Sequence, residues 1–66
     1  MKEKIGTDAG LVWQVLDERG TLNVKEVKKV VRLTDKDLFA AIGWLAREEK
    51  LRFNQEEKEL YLSLIR

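Results

Sequence analysis

The first third of the chain repeats its apolar residues at helical spacing. From residue 5 to residue 19 they recur about every 3.6 positions, as Ile5, Ala9, Val12, Trp13 and Leu16. This period predicts helix 1, and Gly20 stands where a left-handed C-terminal cap is expected. Leu11 and Val15 lie beside the stripe, so the apolar arc covers about 200°, against about 100° for an ordinary surface helix. We therefore expect helix 1 to have two neighbours.

Two N-capping signals predict a second and a third helix. Asn23, followed three residues later by Glu26, approximates a capping box and marks the start of helix 2. Leu33 and Thr34 form a tight connection, and Thr34 is the expected N-cap of helix 3, which runs to about Glu49. The short connection predicts that the two helices are spatial neighbours.

Helices 2 and 3 each have one apolar face. The face of helix 2 consists of Val24, Val27, Val30 and Val31. The core stripe of helix 3 consists of Leu38, Ala41, Ile42 and Leu45, flanked by Phe39 and Trp44. Small domains depend on the large apolar area that aromatic side chains bury, so we expect the aromatic residues to fill the core. They are Trp13, Phe39, Trp44, Phe53 and Tyr61.

After residue 50 the apolar period changes from 3.6 to 2. The alternation predicts one strand from Leu51 to Phe53 and another from Leu60 to Leu64, with a polar loop over 54–59 between them. A two-stranded hairpin is marginal alone, so it must pack its Leu and Phe face on the helices. Residues 21 and 22 suit a short edge strand after helix 1. The predicted fold class is α+β, with three helices, a C-terminal hairpin and this edge strand.

Size and composition set limits on function. A chain of 66 residues forms one domain, 1–66, and its net charge of +1 produces no strong field for a polyanion. With no Cys and no His, the usual metal ligands and nucleophiles are missing, and no phosphate-binding glycine loop is present. We expect no enzyme activity, no cofactor and no metal. No stretch resembles a signal core or a transmembrane segment, so a cytoplasmic location is expected.

The order of elements resembles the winged helix-turn-helix fold. Helices 2 and 3 are similar to its helix-turn-helix pair, and 51–64 is similar to its wing. The segments 9–13, Ala-Gly-Leu-Val-Trp, and 41–50, Ala-Ile-Gly-Trp-Leu-Ala-Arg-Glu-Glu-Lys, resemble a family of short, poorly characterised bacterial winged-helix proteins in which Gly-Trp-Leu-Ala-Arg-Glu closes helix 3. The resemblance implies that helix 3 is a recognition helix, and therefore a DNA-binding or transcription-regulation role.

The charge pattern supports only part of that role. The outward face of helix 3 is Lys36, Ala40, Gly43 and Arg47, and small side chains at its centre read bases poorly. The acids in the first turn of helix 3, Asp35 and Asp37, would face the negative electrostatic potential of DNA. The wing tip is net acidic, whereas contact with phosphates needs net positive charge. Helix 2 is basic, so we expect weak phosphate contacts, or simply a solvated charged face. The candidate nucleic-acid-binding residues are Lys25, Lys28, Lys29, Arg32, Lys36, Arg47, Lys50 and Arg52.

Protein contact is the alternative function. Ala40 and Gly43 leave room for a second backbone, although Gly43 can equally make room for a tryptophan or for helix 2 inside the same chain. Exposed apolar residues would form a patch that a homodimer covers. The candidate dimer or partner interface is Leu11, Trp13, Val15, Ala40, Gly43 and Ile65. The two functions, DNA binding and protein contact, remain open at this point.

Overall fold

Three helices precede a β-hairpin in the computed structural model, which describes residues 2–65. The elements are α1 Lys2–Arg19, β1 Leu22–Asn23, α2 Val24–Val31, α3 Asp35–Arg47, β2 Leu51–Glu56 and β3 Glu59–Leu64. This order confirms the predicted winged-helix α+β fold. Helix α1 begins three residues before the predicted start. Residues 2–4 are Lys and Glu, which have high helix propensity, so the helix extends through them. Within residues 2–65, no helix has both the length and the apolar character needed to cross a bilayer.

The helix ends follow the capping signals in the sequence. Asn23 Oδ1 accepts from the Glu26 backbone N–H at 2.8 Å, and Glu26 Oε1 accepts from the Asn23 N–H at 3.0 Å. Thr34 Oγ1 caps α3 by accepting from the Asp37 N–H at 3.2 Å. Gly20 ends α1 in the left-handed region with φ 80°. These predictions are confirmed because each depends only on residues within one turn of chain.

A three-stranded antiparallel sheet of order β1-β3-β2 closes the domain. Leu62 on the central strand pairs with Leu22 on one side and Phe53 on the other. The predicted polar loop over 54–59 is wrong, because pairing continues to Glu56 opposite Glu59. Only Glu57 and Lys58, with φ 47° and 71°, form the turn. Two positive φ values in a two-residue connection indicate a type I′ turn, whose twist matches the strands.

Among the residues that the structure describes, the hydrophobic core contains only aliphatic side chains. Its members are Ala9, Val12, Leu16, Val27, Leu38, Ala41, Ile42, Leu45, Leu51 and Leu62. The expectation that the aromatic residues fill the core is wrong for Trp13, Phe39 and Phe53, which are 38%, 54% and 43% exposed. Trp44 is half-buried and packs against the core, and Tyr61 is half-buried. The aliphatic stripes of the helices are sufficient to fill the core of so small a domain. Phe39 lies about 100° from Leu38 around the α3 axis, so it is off the core stripe.

Candidate functional site

The outward face of α3 carries one cation at each end. Lys36, Gly43 and Arg47 are exposed and Ala40 is half-buried, while the opposite side of the helix is core. Lys36 and Arg47 are eleven residues apart, which places their Cα atoms about 16 Å apart along the helix axis. A Cβ built at Gly43 meets no atom of another described element within 4 Å. The interpretation that Gly43 makes room for Trp13 or for the α2 backbone is therefore wrong.

The two acids in the first turn of α3 lie on opposite sides of it. Asp35 and Asp37 are about 200° apart around the helix axis, so each turns toward a different neighbouring helix. Lys28 Nζ of α2 lies 2.5 Å from Asp35 Oδ1, and Lys4 Nζ of α1 lies 3.3 Å from Asp37 Oδ2. Both carboxylates are therefore in ion pairs on the flanks of α3, and the outward face itself is left with positive charge only.

Lys4 also contacts Asp8 within α1. Its Nζ lies 2.9 Å from Asp8 Oδ2, and Asp8 is only 5% exposed. The hydrogen bond to Asp8, followed by the contact with Asp37, raises the pKa of Lys4 above its ordinary value of 10.5. One ammonium group therefore balances a buried carboxylate and ties the first half of α1 to the start of α3.

Ion pairing divides the predicted basic surface of α2. Lys28 is paired with Asp35, and Lys25 Nζ lies 3.6 Å from Glu59 Oε1 at the start of β3. Lys29 is exposed on α2, and Arg32 follows it as a left-handed C-cap with φ 57°. Among residues 2–65, Lys29 and Arg32 have no carboxylate within ion-pair distance. Two of the four predicted α2 cations thus keep their charge unpaired.

Lys50 and Arg52 do not extend the α2 surface. Lys50 lies on the α1 side of α3, whereas the Lys28 contact places α2 on its other side. Arg52 is exposed on the sheet face that also carries Ser63, its cross-strand partner. The eight predicted nucleic-acid-binding residues are therefore spread over several surfaces, because ion pairing and packing direction are not visible in the sequence.

A cleft between α1 and α3 has tryptophan on both sides, and we name it the tryptophan groove. It is lined by Gly6, Ala9, Gly10, Trp13, Trp44, Leu45, Glu48 and Lys50. The Cβ positions of Gly6 and Gly10 are open, with no atom of another described element within 4 Å. The two glycines are one helical turn apart, so together they leave a shallow backbone surface beside Trp13.

The other predicted interface residues do not join this groove. Leu11 and Trp13 are about 200° apart around the α1 axis, so they lie on opposite flanks of the helix. Leu11 is 42% exposed, and Val15, one turn later on the same flank, is half-buried. Ile65 is 43% exposed beyond the end of β3. The single apolar patch expected from the sequence thus divides into at least two surfaces.

A second cleft lies where α2, α3 and the hairpin turn meet, and we name it the wing groove. It has a volume of about 380 Å³. Its lining residues are Val24, Lys25, Lys28, Asp35, Phe39, Lys58, Glu59 and Leu60. The sequence does not predict this site, because the hydrophobic pattern places Phe39 beside the core stripe and the turn carries more acids than bases. The available signal was the position of Phe39 well off the α3 core stripe.

Comparisons with known proteins agree with this architecture. Residues 1–64 match the family described as "Winged helix-turn-helix domain (DUF2582)". An uncharacterized protein of Methanocaldococcus jannaschii, MJ1608, is 33% identical over 64 residues, which cover 92% of this chain and 90% of that protein. The solution NMR structure of protein BT2368 from Bacteroides thetaiotaomicron superposes with a TM-score of 0.86 at 30% identity, covering 96% of this chain and 77% of that one. The chain belongs to this winged helix-turn-helix family.

Proposed function

We propose that this winged helix-turn-helix domain binds duplex DNA weakly, with little sequence preference, by placing the outward face of α3 in the major groove. The observation that carries the proposal is the charge of that face. Lys36 and Arg47 stand at its two ends, and both acids of its first turn are held in ion pairs on the flanks of the helix. A polyanion approaching α3 along this face therefore meets positive charge at both ends of the helix.

The small centre of the face supports close approach of the helix backbone. Ala40 and Gly43 lie between the two cations, and the space above Gly43 is open. The major groove is about 12 Å wide and admits a helix. Side chains of this size do not reach base edges, whereas the longer Lys36 and Arg47 can reach phosphates on either side. Contacts of this kind position a protein on DNA without reading its sequence.

The α2 cations that remain unpaired add to these contacts. If Lys29 and Arg32 join Lys36 and Arg47, four phosphates are neutralised, and the binding constant falls with salt at a log-log slope of about −3.6. The wing does not contribute, because the turn and its flanking residues carry Glu56, Glu57 and Glu59 against one lysine. The expected binding is therefore stronger at low salt and similar for unrelated duplex sequences.

Fluorescence anisotropy with labelled generic duplexes tests this proposal. Lys36→Gln and Arg47→Gln are each expected to weaken binding to all duplexes alike and to make the salt slope shallower by about 0.9. Arg19→Gln, which removes an exposed cation from the far end of α1, is the matched control and should change little. Equal effects of all three variants, or no binding at low salt, would overturn the proposal.

A second candidate function, protein contact including homodimerisation, is favoured by the aromatic side chains that lie outside the core. The tryptophan groove and the Leu11 flank of α1 are the two surfaces offered. Sedimentation equilibrium distinguishes the two surfaces. Gly10→Arg blocks the groove, and Leu11→Arg blocks the opposite flank at another exposed position of α1. Dimerisation lost in only one variant identifies the surface, and a single-chain mass for the wild type at high concentration excludes the homodimer.

A further inference from the structure

The wing groove combines an apolar floor with a charged rim. Val24 and Leu60 are half-buried in its lining, and Phe39 is 54% exposed, the largest exposed fraction among the large apolar side chains of residues 2–65. A ligand that covers this exposed apolar area would gain hydrophobic free energy. The volume of about 380 Å³ lies within the range of small-molecule sites, about 300 to 1,000 Å³.

The charges on the rim are paired, with one exception. Lys25 is paired with Glu59, and Lys28 is paired with Asp35. Among residues 2–65, Lys58 has no carboxylate within ion-pair distance. The type I′ turn, with Lys58 at φ 71°, holds this lysine at the edge of the groove. Within the groove lining, three lysines therefore face two carboxylates, and Lys58 carries the positive charge that no lining acid pairs.

We propose that the wing groove binds a small amphipathic carboxylate, a free molecule with an aromatic or branched aliphatic body and one anionic group. The body covers Phe39, Val24 and Leu60, and the carboxylate accepts from Lys58 Nζ. A neutral or cationic molecule of the same shape lacks that contact, and a dianion gains nothing further because the other rim cations are already paired. This inference is independent of DNA binding, since none of these groups belongs to the outward face of α3.

A titration with 1-naphthoate, followed by ¹H–¹⁵N correlation NMR of the full chain, tests the inference. A ligand of this size is expected to bind with a dissociation constant of about 1 mM and to shift the amides of Phe39, Leu60 and the 57–58 turn. Its neutral amide, 1-naphthamide, is the matched ligand and should bind about 1.4- to 5-fold more weakly, the range for a solvent-exposed ion pair.

Two variants separate the charged contact from the apolar one. Lys58→Gln should bring the affinity for naphthoate down to that for naphthamide and leave naphthamide unchanged, whereas Lys29→Gln, with the same charge loss outside the groove, should change neither. Phe39→Ala should weaken both ligands, and its spectrum reports whether the fold is intact. Shifts centred on the tryptophan groove, equal effects of Lys58→Gln and Lys29→Gln, or no shifts at about 5 mM ligand would overturn the proposal.

Discussion

Lys28 and Asp35 join the two helices of the helix-turn-helix pair through an ion pair with Nζ 2.5 Å from Oδ1. The pair crosses the short connection between α2 and α3, so it positions α3 and removes one cation from the surface of α2. Its side chains are 45% and 72% exposed, and such exposed pairs contribute only about 0.2 to 1 kcal/mol to stability. The contact therefore affects surface charge more than it affects the free energy of unfolding.

Asp35→Asn should free Lys28 for a phosphate contact. We expect DNA affinity to rise about fivefold near 0.1 M salt and the log-log salt slope to steepen by about 0.9. The control is Glu18→Gln, which changes the net charge equally on an exposed position of α1. Anisotropy measures both quantities, and an equal gain in the two variants would mean that only net charge matters.

Gly43→Ala should raise the stability of the domain and lower its DNA affinity. The added methyl group meets open space, so helix propensity should raise the free energy of unfolding by roughly 1 kcal/mol. On the proposed DNA face, the same methyl group should hinder close approach and lower affinity. Gly10→Ala should give the same stabilisation in α1 without the loss of binding. Chemical denaturation and anisotropy test the pair, and unchanged DNA affinity of Gly43→Ala would contradict the placement of α3 in the groove.

Glu56→Lys should stabilise the wing. Glu56 stands directly opposite Glu59 across the last pair of β2 and β3, and like charges in this position are unfavourable. An opposite-charge pair should gain about 0.2 to 1 kcal/mol, which for a domain of this size is up to about 8 °C in the melting temperature. Glu57→Lys makes the same charge change in the turn, where residue 57 has no cross-strand partner within the described hairpin. Thermal unfolding should show the larger increase for Glu56→Lys.

Lys4 should make stability sensitive to alkaline pH. Its pKa is raised in the folded state, so its contribution to the free energy of unfolding is complete below about pH 10.5 and is lost as the pH rises through the folded-state pKa. Lys4→Met should be less stable than the wild type at neutral pH, with the difference shrinking above that value. Denaturation midpoints from about pH 9 to about pH 11.5 measure this, and parallel curves for the two proteins would contradict it.

Local sequence signals predict much of the fold. The caps at Asn23 and Thr34, the left-handed Gly20 and the α3 core stripe are all predicted correctly, since each depends on side chains within a turn or two of one another. The length of the hairpin turn is not predicted correctly. Residues 54–59 lack apolar alternation, and their pairing uses backbone groups that carry no side-chain signal.

The candidate site was predicted only in part. Helical periodicity alone identifies the outward face of α3, because the face opposite a core stripe follows from the 3.6-residue period. It does not reveal that Lys28 and Asp35 neutralise each other, or that Lys25 reaches Glu59, thirty-four positions away in the chain. Such pairing depends on distances between elements, which only packing decides.

The amino-acid sequence alone determined the order of elements, their caps and the aliphatic stripes that form the core, because these follow from local propensity and periodicity. Tertiary structure decided which cations keep a free charge, which aromatic side chains remain outside the core, and where two grooves open between elements. These properties depend on how the helices and the hairpin are placed relative to one another, and contacts between residues far apart in the chain set that placement.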